Sequence, residues 1–412
     1  MSITANIARM GCARYCLLGL VFFTQASVAQ VSGTPDDPLT LYVSSTTYYD
    51  DNLFRLASNV NTQDAIGENH RSAFTEAATA AVHLNQQYAQ QQITGDASYT
   101  RLWYQTFDYL NGGITNYNLA WNWHLTSRVE GTVSGRRTET PANYDFFRDT
   151  SRRNLTNRQE YRLRMNANPY GGWHLIGGGG YSTTSSDAAT SDTPKSEQNF
   201  FDGGLGYVSA AGSNIEIVGR HANGKYSRSN TSEFAEARDY EENSFEVQFV
   251  GNGQQTVSLN LVGGYLWRDH EQNPGRDYQG WTADSKLTWN ATDKLVFTGE
   301  AMRTLTPYQA DIFTHYSRSE YTFTPAWVFS PKLSVSAPIG YNVYKFGGEL
   351  ASASNVARTD RIGTYSLKAN WIPRRYIAVT ASLGKRVRDS SFALRNLDYE
   401  DATASLSLAL SY

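Results

Sequence analysis

The chain ends with the stretch ATASLSLALSY, residues 402–412, in which apolar and hydroxyl side chains alternate. The even positions are apolar and end on an aromatic residue: Ala402, Ala404, Leu406, Leu408, Leu410 and Tyr412. The odd positions, apart from Ala409, carry small hydroxyls: Thr403, Ser405, Ser407 and Ser411. A period of two residues is typical of a strand with one apolar and one polar face. A soluble sheet would explain one such strand, but not a chain that stops on an aromatic residue.

The same alternation recurs along most of the chain. Examples are TNYNLAWNWHL (115–125), SFEVQFV (244–250), WTADSKLTW (281–289) and TYSLKANW (364–371). So many long strands, with charges on the second face, are typical of a membrane barrel with lipid outside and water inside. The pattern predicts an all-β fold, a transmembrane antiparallel up-and-down β-barrel of about 18 strands within a range of about 16–20.

The connections between these segments alternate in length. Short connections, such as NPYGG (168–172) and IPRR (372–375), alternate with long polar ones, such as TPANYDFFRDTSRRN (140–154). Short turns on the periplasmic side and longer loops outside are the arrangement of outer-membrane barrels. Aromatic residues that precede the short turns, together with Tyr412, fit a girdle at the periplasmic interface. We therefore predict location in the bacterial outer membrane, with outer-membrane lipids and the barrel-assembly machinery as partners.

The N-terminal segment predicts export from the cytoplasm. Arg9 and Arg14 precede a short apolar core, and the small residue Ala29 stands before Gln30. This is the pattern of a secretory signal peptide over residues 1–29, which leaves one barrel domain over residues 30–412. Both cysteines, Cys12 and Cys16, fall in the signal peptide. Few residues separate Gln30 from the first strand near Leu39, so we expect no plug domain in front of the barrel.

Charged side chains on the polar faces are the candidates for lining an aqueous lumen. NRQEYRLRMNA (157–167) places its charged residues on one face, against Tyr161, Leu163 and Met165 on the other. On the preceding strand, Arg128 and Glu130 repeat this arrangement. The candidate pore-lining set is Arg128, Glu130, Arg158, Glu160, Arg162, Arg164, Glu246, Asp284, Lys286 and Arg386. These residues either guide a polar or anionic solute or fill a solvated lumen with salt bridges, and guanidinium groups suit carboxylates such as those of uronic-acid sugars.

No pattern in the sequence indicates catalysis. The seven histidines are scattered, without HExxH or a close pair at metal-ligand spacing, and GGGG (177–180) is not followed by Lys-Ser or Lys-Thr. We therefore predict no catalytic residue, no metal site and no cofactor. The net charge of −3 gives no footprint for nucleic-acid binding.

One segment resembles a known family. YYDDNLFRL (48–56) closes the first predicted strand and is similar to the DDNLFR signature of EpsL-like outer-membrane barrels, which accompany exosortase-linked exopolysaccharide clusters. The matching residues are Asp50, Asp51, Asn52, Leu53, Phe54 and Arg55. The resemblance implies a part in exporting or assembling an extracellular polysaccharide, with polysaccharide and other export proteins as partners. The residues alone also fit a turn in which Asp50, Asp51 and Asn52 bond to the backbone.

Three functions follow from these observations. The first is a passive conduit for exopolysaccharide export, without a chemical step. The second is a general or sugar-selective uptake porin. The third is an outer-membrane hydrolase or adhesin that acts through its long loops.

Overall fold

The structure is a computed structural model that describes residues 38–141, 144–145, 150–187, 195–226, 239–253, 256–308, 313–348, 357–392 and 396–412. The predicted signal peptide and both cysteines lie outside these residues. Within them, no helix is both long and apolar enough to cross a bilayer. The helical parts of the described ranges are α1 (Thr62–Ile66) and two 3-10 turns, Asp108–Leu110 and Pro274–Arg276.

Nineteen strand segments build the wall. The first ten are β1 (Leu39–Asp50), β2 (Ala73–Tyr88), β3 (Gln91–Tyr104), β4 (Gly112–Thr126), β5 (Val129–Pro141), β6 (Leu155–Tyr170), β7 (Trp173–Ser186), β8 (Ser196–Val208), β9 (Asn214–Tyr226) and β10 (Asp239–Gly253). The others are β11 (Val257–Asp269), β12 (Tyr278–Asn290), β13 (Leu295–Pro307), β14 (His315–Ser330), β15 (Leu333–Ser336), β16 (Ile339–Gly347), β17 (Thr359–Arg374), β18 (Ile377–Ser390) and β19 (Tyr399–Ser411).

The wall is a closed antiparallel barrel of 18 strands, as the alternation predicts. Segments β15 and β16 count as one strand because both lie between β14 and β17. They are separated at Ala337 and Pro338, and Pro338 has no amide hydrogen to donate to the ladder. Its carbonyl still accepts a hydrogen bond from the Ser366 amide at 2.9 Å. The interruption is therefore local and the cylinder stays closed.

The seam of the barrel joins β1 to β19 over nine residue pairs, from Tyr42 with Ser411 to Asp50 with Thr403. Beyond the strand end, Leu41 and Tyr412 exchange two backbone hydrogen bonds of 2.8 and 2.9 Å. The last residue of the chain thus closes the wall. Tyr412 as a whole is 96% exposed, as expected for a residue that faces membrane and water.

Side chains alternate between the two faces of the wall. The apolar members of the terminal stretch, Leu406, Leu408 and Leu410, are exposed outward, as are Tyr161, Leu163 and Met165 of β6. In a membrane barrel this exposed apolar surface faces lipid. Short turns join β2 to β3, β4 to β5 and β6 to β7 at the end that carries both termini, and long connections lie at the other end. That places the short turns in the periplasm and the long connections outside. The first turn is Ala89–Gln90.

Apolar packing inside the barrel is concentrated at the extracellular end. One core contains Phe54, Leu102, Phe107, Leu110 and Ile114. A second contains Tyr308, Phe313, Tyr344, Ile362 and Phe392. Both include residues from long connections, so parts of these loops fold into the barrel instead of projecting away from it.

Candidate functional site: the barrel lumen

The charged face of β6 lies opposite the lipid-facing residues Tyr161 and Leu163, and therefore faces the lumen. Arg162 pairs with Asp202 of β8, which also binds Arg220 of β9 through contacts of 2.5 and 2.6 Å. Arg220 lies 4.4 Å from the ring centroid of Phe200. One carboxylate therefore serves two guanidinium groups, and this part of the wall has a surplus positive charge.

A second group of charged residues lies two residues further along β6, closer to the periplasm. Arg164 contacts Glu216 at 2.8 Å, and His174 contacts the other oxygen of the same carboxylate at 3.3 Å. Asn214 donates to it at 3.1 Å. These contacts fit the second of the two sequence interpretations, salt-bridged filling, for Arg162 and Arg164. Arg158 and Glu160 share this inward face, and neither forms an ion pair within the described residues.

The other lumen candidates are distributed over several strands. Lys286 contacts Glu300 at 2.7 Å, and both side chains are about half exposed, as is expected beside water. Glu130 contacts His124 at 3.0 Å, and Glu246 accepts a hydrogen bond from Gln248 at 3.3 Å. Asp284 lies exposed on the same face of β12 as Lys286. The assignment of Arg128 to a strand is wrong: Arg128 is an exposed residue of the turn between β4 and β5, where the tight reversal begins at Ser127.

The connection between β5 and β6 places two of its described residues inside the barrel. Its residues Tyr144 and Asp145, the inward segment, lie inside the barrel against β18 and β19. Asp145 contacts Arg386 at 3.3 Å through its carboxylate, and its backbone carbonyl accepts a hydrogen bond from Arg388 at 2.6 Å. Tyr399 donates a short hydrogen bond to the same carboxylate. The inward segment is thus held several strands away from the strands it connects.

The electrostatics of this contact favour its ionised form. Burial acts to raise the pKa of Asp145, but the guanidinium groups of Arg386 and Arg388 outweigh it and hold that pKa below the ordinary value. The Asp145 carboxylate therefore stays charged and paired at any pH above the pKa of an ordinary aspartate.

The DDNLFR segment forms the neighbouring contact. Arg55 binds both carboxylate oxygens of Asp50 at 2.9 and 2.8 Å and also donates to the carbonyl of Asn52 at 2.6 Å. The Asn52 amide group bonds to the Leu56 amide and carbonyl and to the Glu400 carbonyl. Asp51 accepts from the Ala402 amide at 2.7 Å, which extends the β1–β19 seam. The prediction of a turn with side-chain to backbone bonds is confirmed by these contacts.

The remaining motif residues connect this turn to the inward segment. The Phe54 ring packs edge-on against Phe107 and Tyr144, with centroids 4.8 Å apart in both cases. Arg55 has a positive φ of 56°, a conformation that non-glycine residues rarely adopt. Leu53 packs at the edge of the same core. The bidentate ion pair and the buried ring together hold that backbone conformation.

Charges of opposite sign alternate across the inside of the extracellular end, and we call this set the carboxylate–arginine ladder. Its consecutive contacts, all 4.0 Å or shorter, run Asp50, Arg55, Asp401, Arg386, Asp145, Arg388, Asp360 and Arg358. Burial alone would lower the pKa of Arg55, but Asp50 and Asp401 raise it well above its ordinary value. The ladder joins the loop after β1, the wall strands β17 to β19 and the inward segment. Sequence reasoning did not identify Asp145, Asp360 or Asp401 as members, because the contacts that join them to arginines link different strands and loops.

The wall formed by β9 to β12 carries another buried arginine that sequence reasoning missed. Arg268 pairs with Glu242, donates to the Tyr226 hydroxyl at 2.6 Å and lies 4.0 Å from the Tyr240 ring centroid. His270 follows in the next connection, with its amide bonded to Asp277 at 2.7 Å. The strict alternation of β11 placed Arg268 on the lumen face, which is the one signal that could have found it.

Within the described ranges, no group of three or more His, Cys, Asp or Glu side chains is placed to hold a metal ion. The absence of catalytic residues and cofactors therefore stays a prediction from the sequence.

Comparison with known proteins agrees with this architecture. Residues 255–411, less than half of the chain, match the family model described as "Putative beta-barrel porin 2". The outer membrane protein opdK from Pseudomonas aeruginosa is similar in structure, with a TM-score of 0.50 and 11% identity over 91% of this chain and 99% of that one. A second structure, Pseudomonas aeruginosa OpdK with vanillate, has a TM-score of 0.50 and 10% identity over the same shares. No curated protein matches.

The chain is a porin-like β-barrel of the bacterial outer membrane. The porin-like barrel confirms the predicted fold class and location, and it agrees with the coarser part of the family resemblance. The EpsL-like assignment and its polysaccharide partners stay predictions.

Proposed function

We propose that this porin-like barrel is a selective uptake channel for small organic anions. The observation that carries the proposal is the inward segment, which is held by Arg386, Arg388 and Tyr399 across the extracellular end of the lumen. A segment held inside the lumen narrows the passage, and a narrower passage obstructs a long polymer more than a small solute. The structure therefore favours uptake of small molecules over the polysaccharide conduit that the DDNLFR resemblance implies.

The preference for anions rests on the lumen wall of β6 to β9. Asp202 is shared by Arg162 and Arg220, and Arg158 adds a guanidinium group without an ion-pair partner in the described part of the chain. Guanidinium groups bind carboxylates in a planar, two-pronged geometry. In a narrow aqueous channel with low-dielectric walls such charges act over several ångströms and set ion preference. The opdK structure with vanillate, an aromatic carboxylate, suggests a first probe.

The test is ion selectivity in planar bilayers. Under a salt gradient we expect the variant with Arg158, Arg162 and Arg164 all replaced by Gln to shift its reversal potential toward cations, because Asp202 and Glu216 lose positive partners. The matched control replaces Arg128, Arg374 and Arg375, which are exposed at periplasmic turns, by Gln. Arg158→Gln alone provides a second variant that breaks no ion pair in the described residues. Equal shifts in the lumen and control variants would contradict the proposal.

Solute flux separates the two transport functions. Liposomes containing the protein should swell faster in isotonic vanillate or galacturonate than in glucose, and the lumen variant should lose that difference. In cells, the same variant should leave secreted polysaccharide unchanged. A fall in secreted polysaccharide with unchanged anion flux would instead support export.

A further inference from the structure

The outer face of β13 to β17 carries three cations near the extracellular end. Arg303 shares its face with the lipid-facing Ala301, and paired positions lead from Arg303 through Ser319 and Val343 to Arg361. Lys345 lies two residues beyond Val343 on the same outward face. With strands about 4.8 Å apart and about 3.4 Å per residue, the three cations fall within roughly 15 Å of one another.

Two of these cations have no carboxylate partner among the described residues. Arg303 lies 4.4 Å from the ring centroid of the exposed Trp281 and donates to Ser319 at 3.2 Å, but has no carboxylate partner in the described residues. Lys345 is exposed and has no ion-pair partner there. Arg361 contacts Asp389 at 3.6 Å, with both side chains about half exposed or more. Basic groups on the lipid face are costly unless anionic head groups meet them.

An apolar groove lies immediately below these cations, toward the membrane centre. It has a volume of about 500 Å³ and is lined by Leu261, Leu287, Gly299, Ala301, Tyr321 and Phe323 among others. Three of its lining residues are small: Ser285 and Ala301, which are paired across the strands, and Gly299. Ala301 is two residues from Arg303 on the same face, so the groove is continuous with the cations.

A second sector of the barrel differs in charge. At the corresponding end of β9 to β11, paired outward positions carry Asp239 with Lys225 and Glu241 with Asp269. Acids outnumber the one lysine there. At this height of the barrel, the sector that has the groove is therefore more cationic than the β9 to β11 sector.

We propose that this sector binds a phosphorylated lipid of the outer leaflet. Arg303, Lys345 and Arg361 hold its phosphate groups, with Arg303 oriented by Trp281, and one acyl chain lies in the groove over Gly299. Arg–phosphate contacts are charge-assisted, and the groove supplies apolar contact that free phosphate could not use. The site is on the outside of the wall and does not depend on what passes through the lumen.

The experiment is a titration of the detergent-solubilised barrel with bisphosphorylated lipid A, with bound lipids counted by native mass spectrometry. We expect one tightly held lipid A, and Arg303→Gln with Lys345→Gln to weaken it by about tenfold or more. The charge control, Arg101→Gln with Lys225→Gln, removes two outward cations elsewhere and should change affinity less than about twofold. Heat-modifiable migration on gels verifies folding of each variant.

The groove is tested by Gly299→Leu. A Cβ on Gly299 meets no atom within 4 Å, so the larger side chain fills the groove without displacing the wall. Gly203, which is outward and equally open, supplies the control Gly203→Leu. Weaker binding in Gly299→Leu alone supports the acyl-chain position. Equal loss in the charge variant and its control, equal binding of dephosphorylated lipid A, or an unchanged affinity in Gly299→Leu would each overturn the proposal.

Discussion

The Asp50 carboxylate lies 2.8 Å from the Arg55 guanidinium only five residues later, and both side chains are almost completely buried. The pair stands at the point where β1 ends and the chain enters the barrel. Arg55 also reaches Asp401 of β19 at 3.5 Å. One local ion pair therefore joins the first loop to both strands of the seam.

Asp50→Asn should destabilise the extracellular end of the barrel by about 3–5 kcal/mol, because it leaves the buried Arg55 without its bidentate partner. Urea unfolding of the reconstituted protein measures this change. The control is Asp64→Asn in α1, which is exposed and should alter the free energy of unfolding by less than about 0.5 kcal/mol. Equal stabilities of the two variants would contradict the structural role of the motif.

Asp145→Asn should release the inward segment, since the neutral amide cannot hold Arg386 and Arg388 as the carboxylate does. We expect a higher and noisier single-channel conductance than that of the native protein. Asp187→Asn, an exposed change next to β7, is the matched control and should conduct normally. A native conductance for Asp145→Asn would show that the inward segment does not limit the passage.

Tyr412→Ala should impair assembly more than stability. Tyr412 is 96% exposed, while its backbone forms the two hydrogen bonds with Leu41, which alanine preserves. The refolded variant should therefore unfold at the same urea concentration as the native protein. Cells that produce the variant should contain less folded protein in the outer membrane. Native levels in cells would argue against a role of the terminal aromatic residue in assembly.

His270 should make the connection between β11 and β12 sensitive to acid. Burial lowers the pKa of His270 to about 4, assisted by Arg268 and Arg276 and opposed by Asp277. Because the folded pKa lies below the ordinary value near 6.5, the contribution of this histidine to stability is complete at neutral pH and is lost as pH falls toward 4. Hydrogen exchange of residues 270–277 should accelerate between pH 7 and 4.5. His270→Gln, which carries no titratable group, should show no such change beyond the intrinsic pH dependence of exchange.

The sequence by itself determined the wall. Alternation in stretches such as residues 402–412 shows which side chains face lipid. Side chains of a strand point to the same face every two residues, and the hydrocarbon core of the membrane favours apolar ones. The lengths of the connections then fixed the orientation, and the charged face of β6 followed from its alternation with Tyr161 and Leu163. None of these inferences depends on which strands face each other across the lumen.

Only the tertiary structure decided what occupies the extracellular end of the barrel. Asp145 meets Arg386 and Arg388 more than 240 residues away, and Asp202 meets Arg162 and Arg220 from different strands. Such contacts depend on the closure of the barrel and on loops folding inward, and neither leaves a periodic signal in the chain. The same limit explains the misplaced Arg128: alternation does not mark the residue at which a strand ends, because a two-residue turn is set by backbone geometry and not by hydrophobicity.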